Sequence, residues 1–82
     1  MPTTAQQIDR VFAAIDAATD EMVDFTAEMI RIPTVNPPGD AYEECARFIG
    51  QRLDECDFAV EYLTAEGHPD HTPAHPRMNV VG

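Results

Sequence analysis

The sequence predicts an α/β fold in which helices come first and two strands follow. Apolar residues recur with the helical period up to Ile32 and again from Tyr42 to Cys56. From Phe58 to Leu63 they alternate with other residues, as in a half-buried strand, and a further apolar run begins at Met78. The predicted order is helix, helix, strand, loop, strand.

The first helical region begins at Thr3 or Thr4, since either residue is a suitable N-cap. Thr19 and Asp20 interrupt its pattern, so one long kinked helix and two shorter helices meeting near Thr19 both fit. Pro33 ends the region at about Arg31 or Ile32, because proline lacks a backbone N–H and disfavours helical geometry in the residue before it. The apolar residues fall on one stripe that we expect to be buried: Ile8, Val11, Phe12, Ile15, Met22, Phe25 and Met29.

The segment from Pro33 to Gly39 predicts a rigid connector, because its prolines fix φ and Gly39 allows positive φ. A second helix follows, and Asp40 with Glu43 has the spacing of a capping box. One face of this helix is apolar, comprising Tyr42, Cys45, Ala46, Ile49, Leu53 and Cys56. The opposite face is mostly charged, with Glu43, Glu44, Arg47, Arg52, Asp54 and Glu55. The pattern is typical of a helix packed against another layer.

Asp57 interrupts the helical pattern, and the strand from Phe58 to Leu63 presents Phe58, Val60 and Tyr62 on one face. Thr64 to Pro76 contains three prolines, a glycine and three histidines, which predicts an exposed loop. Met78 to Val81 begins the second strand. Because a two-stranded ribbon is marginal alone in water, these elements suit a corner of a larger α/β domain.

Composition excludes several classes of function. The formal net charge is -10 and all five basic residues are arginine, so the cationic footprint of a nucleic-acid binder is absent. No apolar run approaches the ~20 residues that cross a bilayer.

Cys45 and Cys56 would lie about 16 Å apart on one helix, too far for a disulfide. With no secretory signal in the sequence, a cytoplasmic location is expected.

The histidine-rich loop contains the only candidate metal ligands that lie near one another, namely His68, Asp70, His71 and His75. Three interpretations are open: a polar loop between strands, which we favour, a loop that reaches an active-site rim, or a structural metal site. Pro69, Pro73 and Pro76 prevent the helix that would place His71 and His75 on one face.

Other polar residues have structural explanations. Arg31 is placed to interact with the last carbonyls of its helix, and Asn36 is expected to fix the turn. Cys45 and Cys56 suit small apolar packing positions. The acidic residues of the second helix fit a solvated face. We therefore assign no catalytic, cofactor-binding or metal-binding residue within the chain.

Four successive segments together resemble a known family. They are a helix ending in IRIPTVNPPGD, a helix of the type YEECARFIGQRL, a strand like FAVEYL and a strand entered through RMNVVG. They are similar to the N-terminus of the acetylornithine deacetylase, succinyl-diaminopimelate desuccinylase and aminoacylase family of dinuclear metal hydrolases. The resemblance covers residues 20–82, and its most specific part is Ile32 to Gly39.

The resemblance implies that residues 1–82 are the N-terminal part of a catalytic domain with a mixed sheet between helices. It implies two divalent metal ions, zinc or else manganese or cobalt, bound outside this chain. The first ligands would be a His-x-Asp pair, and a later Glu pair would supply a general base and another ligand. It also implies a smaller domain used for dimerisation, and hence a homodimer. The expected reaction is hydrolysis of a C–N bond, amide or amine, in a small, acidic, amino-acid-like substrate. The 82 residues alone are expected to be structural and inactive.

Two other classes of function are kept. A free-standing acidic α/β module that binds a protein partner would need no further chain in order to fold. A small metal-binding protein would use the histidine loop and would lose binding when His68 and His71 are replaced. For the hydrolase hypothesis, the expected partners are the remainder of the same enzyme and a small-molecule substrate. Neither nucleic acid nor a membrane is expected as a partner.

Overall fold

The computed structural model describes residues 4–82, which form three α-helices followed by two β-strands. The α/β class and the order of the elements are confirmed, although the first helical region divides and the count of two helices was therefore wrong. In chain order the elements are α1 (Ala5–Ala17), α2 (Thr19–Ile30), α3 (Tyr42–Glu55), β1 (Glu61–Thr64) and β2 (Met78–Val81).

Helix α1 begins with a capping box. The Thr4 hydroxyl accepts a hydrogen bond from the Gln7 N–H at 3.2 Å, and the Gln7 side-chain oxygen accepts one from the Thr4 N–H at 2.8 Å. This box satisfies two backbone donors that have no partner within the helix. Thr4 is therefore the N-cap, and the alternative, Thr3, lies outside the described residues.

The break between α1 and α2 lies at Ala18, whose φ of -94° and ψ of 7° end the first helix. Two shorter helices therefore form, and not one kinked helix. Neither Thr19 nor Asp20 caps α2 through its side chain. The Thr19 hydroxyl instead donates to the Asp16 carbonyl at 2.8 Å, which satisfies an acceptor at the end of α1. At its other end α2 stops at Ile30, with Arg31 as the C-cap.

The predicted capping box of α3 was wrong. The helix begins at Tyr42, its N-cap is Ala41 in the left-handed region at φ 59°, and no side chain caps it. Asp40 lies before this cap because its backbone pairs with Val35 in an isolated bridge. The tight connector thus places the helix start one residue later than the capping pattern predicted.

The sheet consists of β1 and β2 in antiparallel register, with Glu61 opposite Val81 and Thr64 opposite Met78. Strand β2 has the predicted bounds, whereas β1 begins at Glu61 and not at Phe58. The residues before it complete the turn after α3: Asp57 has φ 66°, and the Phe58 N–H bonds to the Leu53 carbonyl at 3.1 Å. Phe58 is consequently 51% exposed.

Helix α3 covers one face of the sheet. Gly50 of α3 is buried against Tyr62 of β1, and a Cβ at this position would collide with the tyrosine hydroxyl. Phe25 of α2 stacks on Phe48 of α3 with ring centroids 5.0 Å apart. Among the described residues, Ala46 is the one buried apolar side chain. The core is therefore a thin layer between α3 and the ribbon.

The apolar stripe of α1 forms but is not buried, contrary to the prediction. Val11 and Phe12 are 55% and 59% exposed, because nothing in residues 4–82 covers this side of the helix. Phe25 and Met29, further along the stripe, are half-buried. No helix within the described part of the chain combines the length and apolar character needed to cross a membrane.

Candidate functional site

The two irregular segments of the chain meet at Arg77, the residue just before β2. These segments are the connector at 33–39 and the loop at 65–77. The guanidinium of Arg77 donates to the Asn36 side-chain oxygen at 3.2 Å, to the Pro38 carbonyl at 2.7 Å and to the Asp70 carbonyl at 3.2 Å. We call these four residues the Arg77 junction. It links positions that are about forty residues apart, and it fixes the turn relative to the sheet.

The planar, five-donor shape of guanidinium suits this position. Arg77 also lies over the ring of Tyr42, with 4.7 Å between Cζ and the ring centroid, which is the geometry of a cation–π contact. No carboxylate of residues 4–82 lies within 4.0 Å of this guanidinium, although the chain is strongly acidic. Its partners are neutral oxygens, so its contacts indicate a role in holding backbone.

The turn itself has the conformation that glycine permits. Gly39 has φ 106°, and both its N–H and that of Asp40 bond to the Val35 carbonyl, at 2.7 and 2.9 Å. A Cβ on Gly39 would collide with the Arg77 guanidinium. Glycine is therefore favoured by its positive φ, and a side chain here would also force the arginine side chain to move.

The three histidines of the loop have different surroundings. His71 accepts a hydrogen bond at Nδ1 from the Arg77 backbone N–H at 2.9 Å, and His68 accepts one at Nδ1 from the Asp70 N–H at 3.1 Å. His75 instead lies with Nε2 3.2 Å from a carboxylate oxygen of Asp40. All three thus contribute contacts within the loop or between the loop and the connector.

The histidines of the loop differ in which ring nitrogen is open. The Nδ1 atoms of His68 and His71 each accept a hydrogen bond from a backbone N–H group, so a metal could bind these two rings only through Nε2. Residues 4–82 contain no group of three His, Cys, Asp or Glu side chains placed to hold one ion. The prediction that two divalent ions are bound outside this chain stays a prediction.

A shallow cleft of about 290 Å³ lies between the connector and the loop. Prolines 37, 38 and 69 form much of its wall, and Asn36, Thr72, His75 and Arg77 supply polar atoms. The guanidinium in this wall already donates to Asn36, Pro38 and Asp70, so the cleft reflects how the connector and the loop meet. Whether the loop reaches an active-site rim stays a prediction.

The remaining sequence-predicted residues are distributed elsewhere. Asn36 is in the Arg77 junction, as its expected role in the turn required. Arg31 is exposed at the C-cap of α2, close to the helix end where it was predicted. Cys45 is half-buried beside β2, whereas Cys56 is exposed at the end of α3, and both are free thiols.

A second cleft, of about 500 Å³, lies between α2 and α3. Its acidic lining residues are Glu21, Asp24, Glu28 and Glu55. Its floor is the stacked pair Phe25 and Phe48, and Arg52 bridges from α3 to Glu21 of α2. Arg52 also contacts Glu55 at 3.3 Å. Both ion pairs of Arg52 lie at the surface, where such a contact contributes about 0–1 kcal/mol to stability. We therefore interpret the cleft as a consequence of how α2 and α3 pack.

Sequence reasoning missed Arg77. A single arginine before a strand resembles many surface residues, and its partners at positions 36 and 38 are remote in sequence. The one available signal was its place between a proline and an apolar run, which puts it at the point where the loop joins the sheet.

The comparisons with known proteins give no relative: no family model, no curated protein and no solved structure matches the chain.

Proposed function

We propose that this chain is the N-terminal, structural portion of a metal-dependent hydrolase that cleaves a C–N bond. Its substrate would be small, acidic and amino-acid-like. The proposal combines two kinds of support. The resemblance of residues 20–82 to the deacetylase, desuccinylase and aminoacylase family suggests the reaction class. The exposed apolar surface of the folded chain supports its being part of a larger assembly.

Uncovered apolar surface is the observation that carries the proposal. The solvent-accessible surface is 6359 Å², whereas a compact 9.1 kDa protein exposes about 4,900 Å². The radius of gyration is 16.8 Å against about 12 Å for a compact domain of this length. The chain thus exposes about 1,500 Å² more total surface, polar and apolar together, than a compact protein of its mass. Large apolar side chains of α1 and α2 are part of this exposed surface, and exposed apolar side chains that share one stripe are typical of an interaction site.

The Arg77 junction supports the scaffolding role. It connects the start of β2 to the connector before α3, so helix, sheet and loop are held as one unit. Such a unit can position a neighbouring segment that carries metal ligands. In the complete enzyme, two divalent ions, zinc or else manganese or cobalt, would be bound by residues outside this chain and would activate water. The complete enzyme would be a cytoplasmic homodimer.

The reaction consumes water. The C–N bond of an N-acyl amino acid breaks, a C–O bond forms at the acyl carbon, and a carboxylate and a free amine leave. Amine release can therefore be measured directly, with N-acetyl and N-succinyl amino acids as the test panel.

The test is native and denaturing mass spectrometry of the protein purified from its source, together with metal analysis and the amine-release assay. We expect residues 4–82 to occur with several hundred further residues, covalently continuous or tightly associated, and with divalent metal. Chelation should abolish amine release, and Zn²⁺ should restore it. A monomer of 9.1 kDa that carries neither metal nor activity would refute the proposal. That result would favour the second candidate, an acidic module whose exposed α1–α2 stripe binds a protein partner.

A further inference from the structure

Helix α1 extends from the rest of the fold as an arm. None of its residues is buried, and its one neighbour among the described elements is the adjoining α2. Its large apolar side chains lie along one side, where they are 40–59% exposed: Ile8, Val11, Phe12 and Ile15. A lone helix of 13 residues is marginal in water, so its stability depends on burying this side against a partner.

An apolar groove runs along α2 and is open to solvent in the described part of the chain. It has a volume of about 400 Å³ and is lined by two rows of side chains spaced four residues apart, Thr19, Val23 and Ala27 in one row and Met22, Thr26 and Ile30 in the other. None of these side chains is charged, and Val23 and Ile30 are 61% and 74% exposed. Rows of this spacing are the ridges between which another helix packs.

The apolar side of α1 has a shape that complements this groove. Ile8 with Phe12, and Val11 with Ile15, form two rows at the same spacing of four residues. The side chains of these rows are large, whereas the rows on α2 include two threonines and an alanine. The rows on α1 cover about 10 Å of helix and the groove about 17 Å, so the first fits within the second. Packing of such rows on both helices is the commonest class of helix pair, with axes crossing at about 50°.

The α1 helix of the same chain cannot occupy the groove. Ala18 is the single residue between α1 and α2, whereas two antiparallel helices that pack on each other are joined by about two to five residues. An α1 helix that enters the groove must therefore come from a second molecule.

We propose that two copies of this chain exchange their α1 helices, so that the apolar side of α1 in each copy packs in the α2 groove of the other. Both copies use the same pair of surfaces, so the assembly closes as a dimer with two-fold symmetry. The inference goes beyond the proposed function, because it involves neither the metal ions nor the smaller domain that the resemblance implies. It adds a contact between helices to the expected homodimer.

Area and charge favour a second copy as the occupant. Each chain exposes about 1,500 Å² more surface than a compact protein of its mass, and each partner in a stable interface buries about 800 Å². The exchange therefore uses about half of this surface and leaves the rest for the remainder of the proposed enzyme. Helix α1 carries two aspartates and one arginine, so its net charge is only -1 out of the -10 of the whole chain. Its entry into an uncharged groove adds little repulsion between two acidic chains.

Photo-cross-linking tests the contact directly in the full protein. The photoreactive amino acid benzoylphenylalanine takes the place of Phe12, and the irradiated protein is analysed by denaturing mass spectrometry with peptide mapping. We expect a product of twice the mass of the chain, in which the new bond joins the probe to residues 19–30. The same probe in place of Ala13, on the opposite side of α1, is the matched control and should give at least about tenfold less of this product. A cross-link within one chain only, a cross-link to a different protein, or no cross-link to residues 19–30 would overturn the inference.

A charge placed on each side of α1 provides a second readout. Phe12→Asp would bury a carboxylate in the groove of the partner, and it should weaken self-association at least about 30-fold in sedimentation equilibrium. Ala13→Asp adds the same charge on the opposite side and should leave the dissociation constant within about threefold of the parent protein. This control is demanding, because aspartate lowers helix propensity more in place of alanine than in place of phenylalanine. Equal weakening by both substitutions, or no weakening by Phe12→Asp, would contradict the exchange.

These results are separable from the fate of the proposed function. Amine release by a protein whose α1 cross-links only within its own chain would support the hydrolase and overturn the exchange. A cross-linked product of doubled mass from a protein without hydrolysis would support the exchange and count against the hydrolase.

Discussion

Replacement of Arg77 by alanine should loosen the connector at 33–39 and the loop at 65–77 together. The guanidinium makes three hydrogen bonds, at 2.7, 3.2 and 3.2 Å, and a cation–π contact with Tyr42 at 4.7 Å. Since these hydrogen bonds are exposed to solvent, we take the low end for each contact, about 0.5 kcal/mol. The four contacts together give about 2 kcal/mol of local stability.

The assay is hydrogen exchange at Gly39 and Asp40, whose amides both bond to the Val35 carbonyl within the connector. A loss of about 2 kcal/mol should accelerate their exchange about 30-fold. Arg77→Lys keeps the charge but cannot make the forked set of bonds, so it should accelerate exchange about five- to tenfold. Arg10→Ala, which removes the same charge from exposed α1, is the control and should leave both amides unchanged. If Arg77→Ala left both rates within about threefold of the parent protein, the junction would not be what holds the connector.

Two further substitutions test local features of the fold. Thr4→Ala removes the hydroxyl that accepts from the Gln7 N–H, and it should destabilise α1 by about 1 kcal/mol, seen as lost helical signal in far-UV circular dichroism. Thr26→Ala, which removes a hydroxyl that bonds to the Met22 carbonyl within α2, is the comparison and should not lower the helical signal. Gly50→Ala should lower the free energy of unfolding by about 1–3 kcal/mol in a urea titration, because its Cβ would collide with Tyr62. In a Tyr62→Ala background this cost should fall by at least about 1 kcal/mol, and strictly additive effects would show that the two residues do not meet.

Much of the fold followed from local patterns that need no tertiary information. The helical period located α2 and α3 within a few residues, and the bounds of β2 agreed with the prediction. The α1 N-cap at Thr4 was one of two predicted alternatives. Local patterns failed where a neighbouring segment decided the outcome. Asp40 did not cap α3 because the connector places Ala41 in the left-handed region, and β1 began late because Asp57 and Phe58 complete the turn after α3.

The candidate site was less accessible to sequence reasoning than the fold. The importance of Asn36 in the turn was predicted, but its partner was not, because Arg77 is 41 residues away. The histidines were recognised as potential ligands from their chemistry. Their positions in the folded loop were needed to show that Nδ1 of His68 and Nδ1 of His71 each accept a hydrogen bond from a backbone N–H group.

The sequence by itself determined the class, the order of the elements and the strongly acidic surface, because propensity, period and charge are properties of neighbouring residues. It also carried the resemblance on which the proposed reaction rests. The tertiary structure decided which apolar residues are covered and that Arg77 joins two distant segments. These depend on contacts between residues far apart in the chain, and no local pattern encodes which of the possible contacts will form.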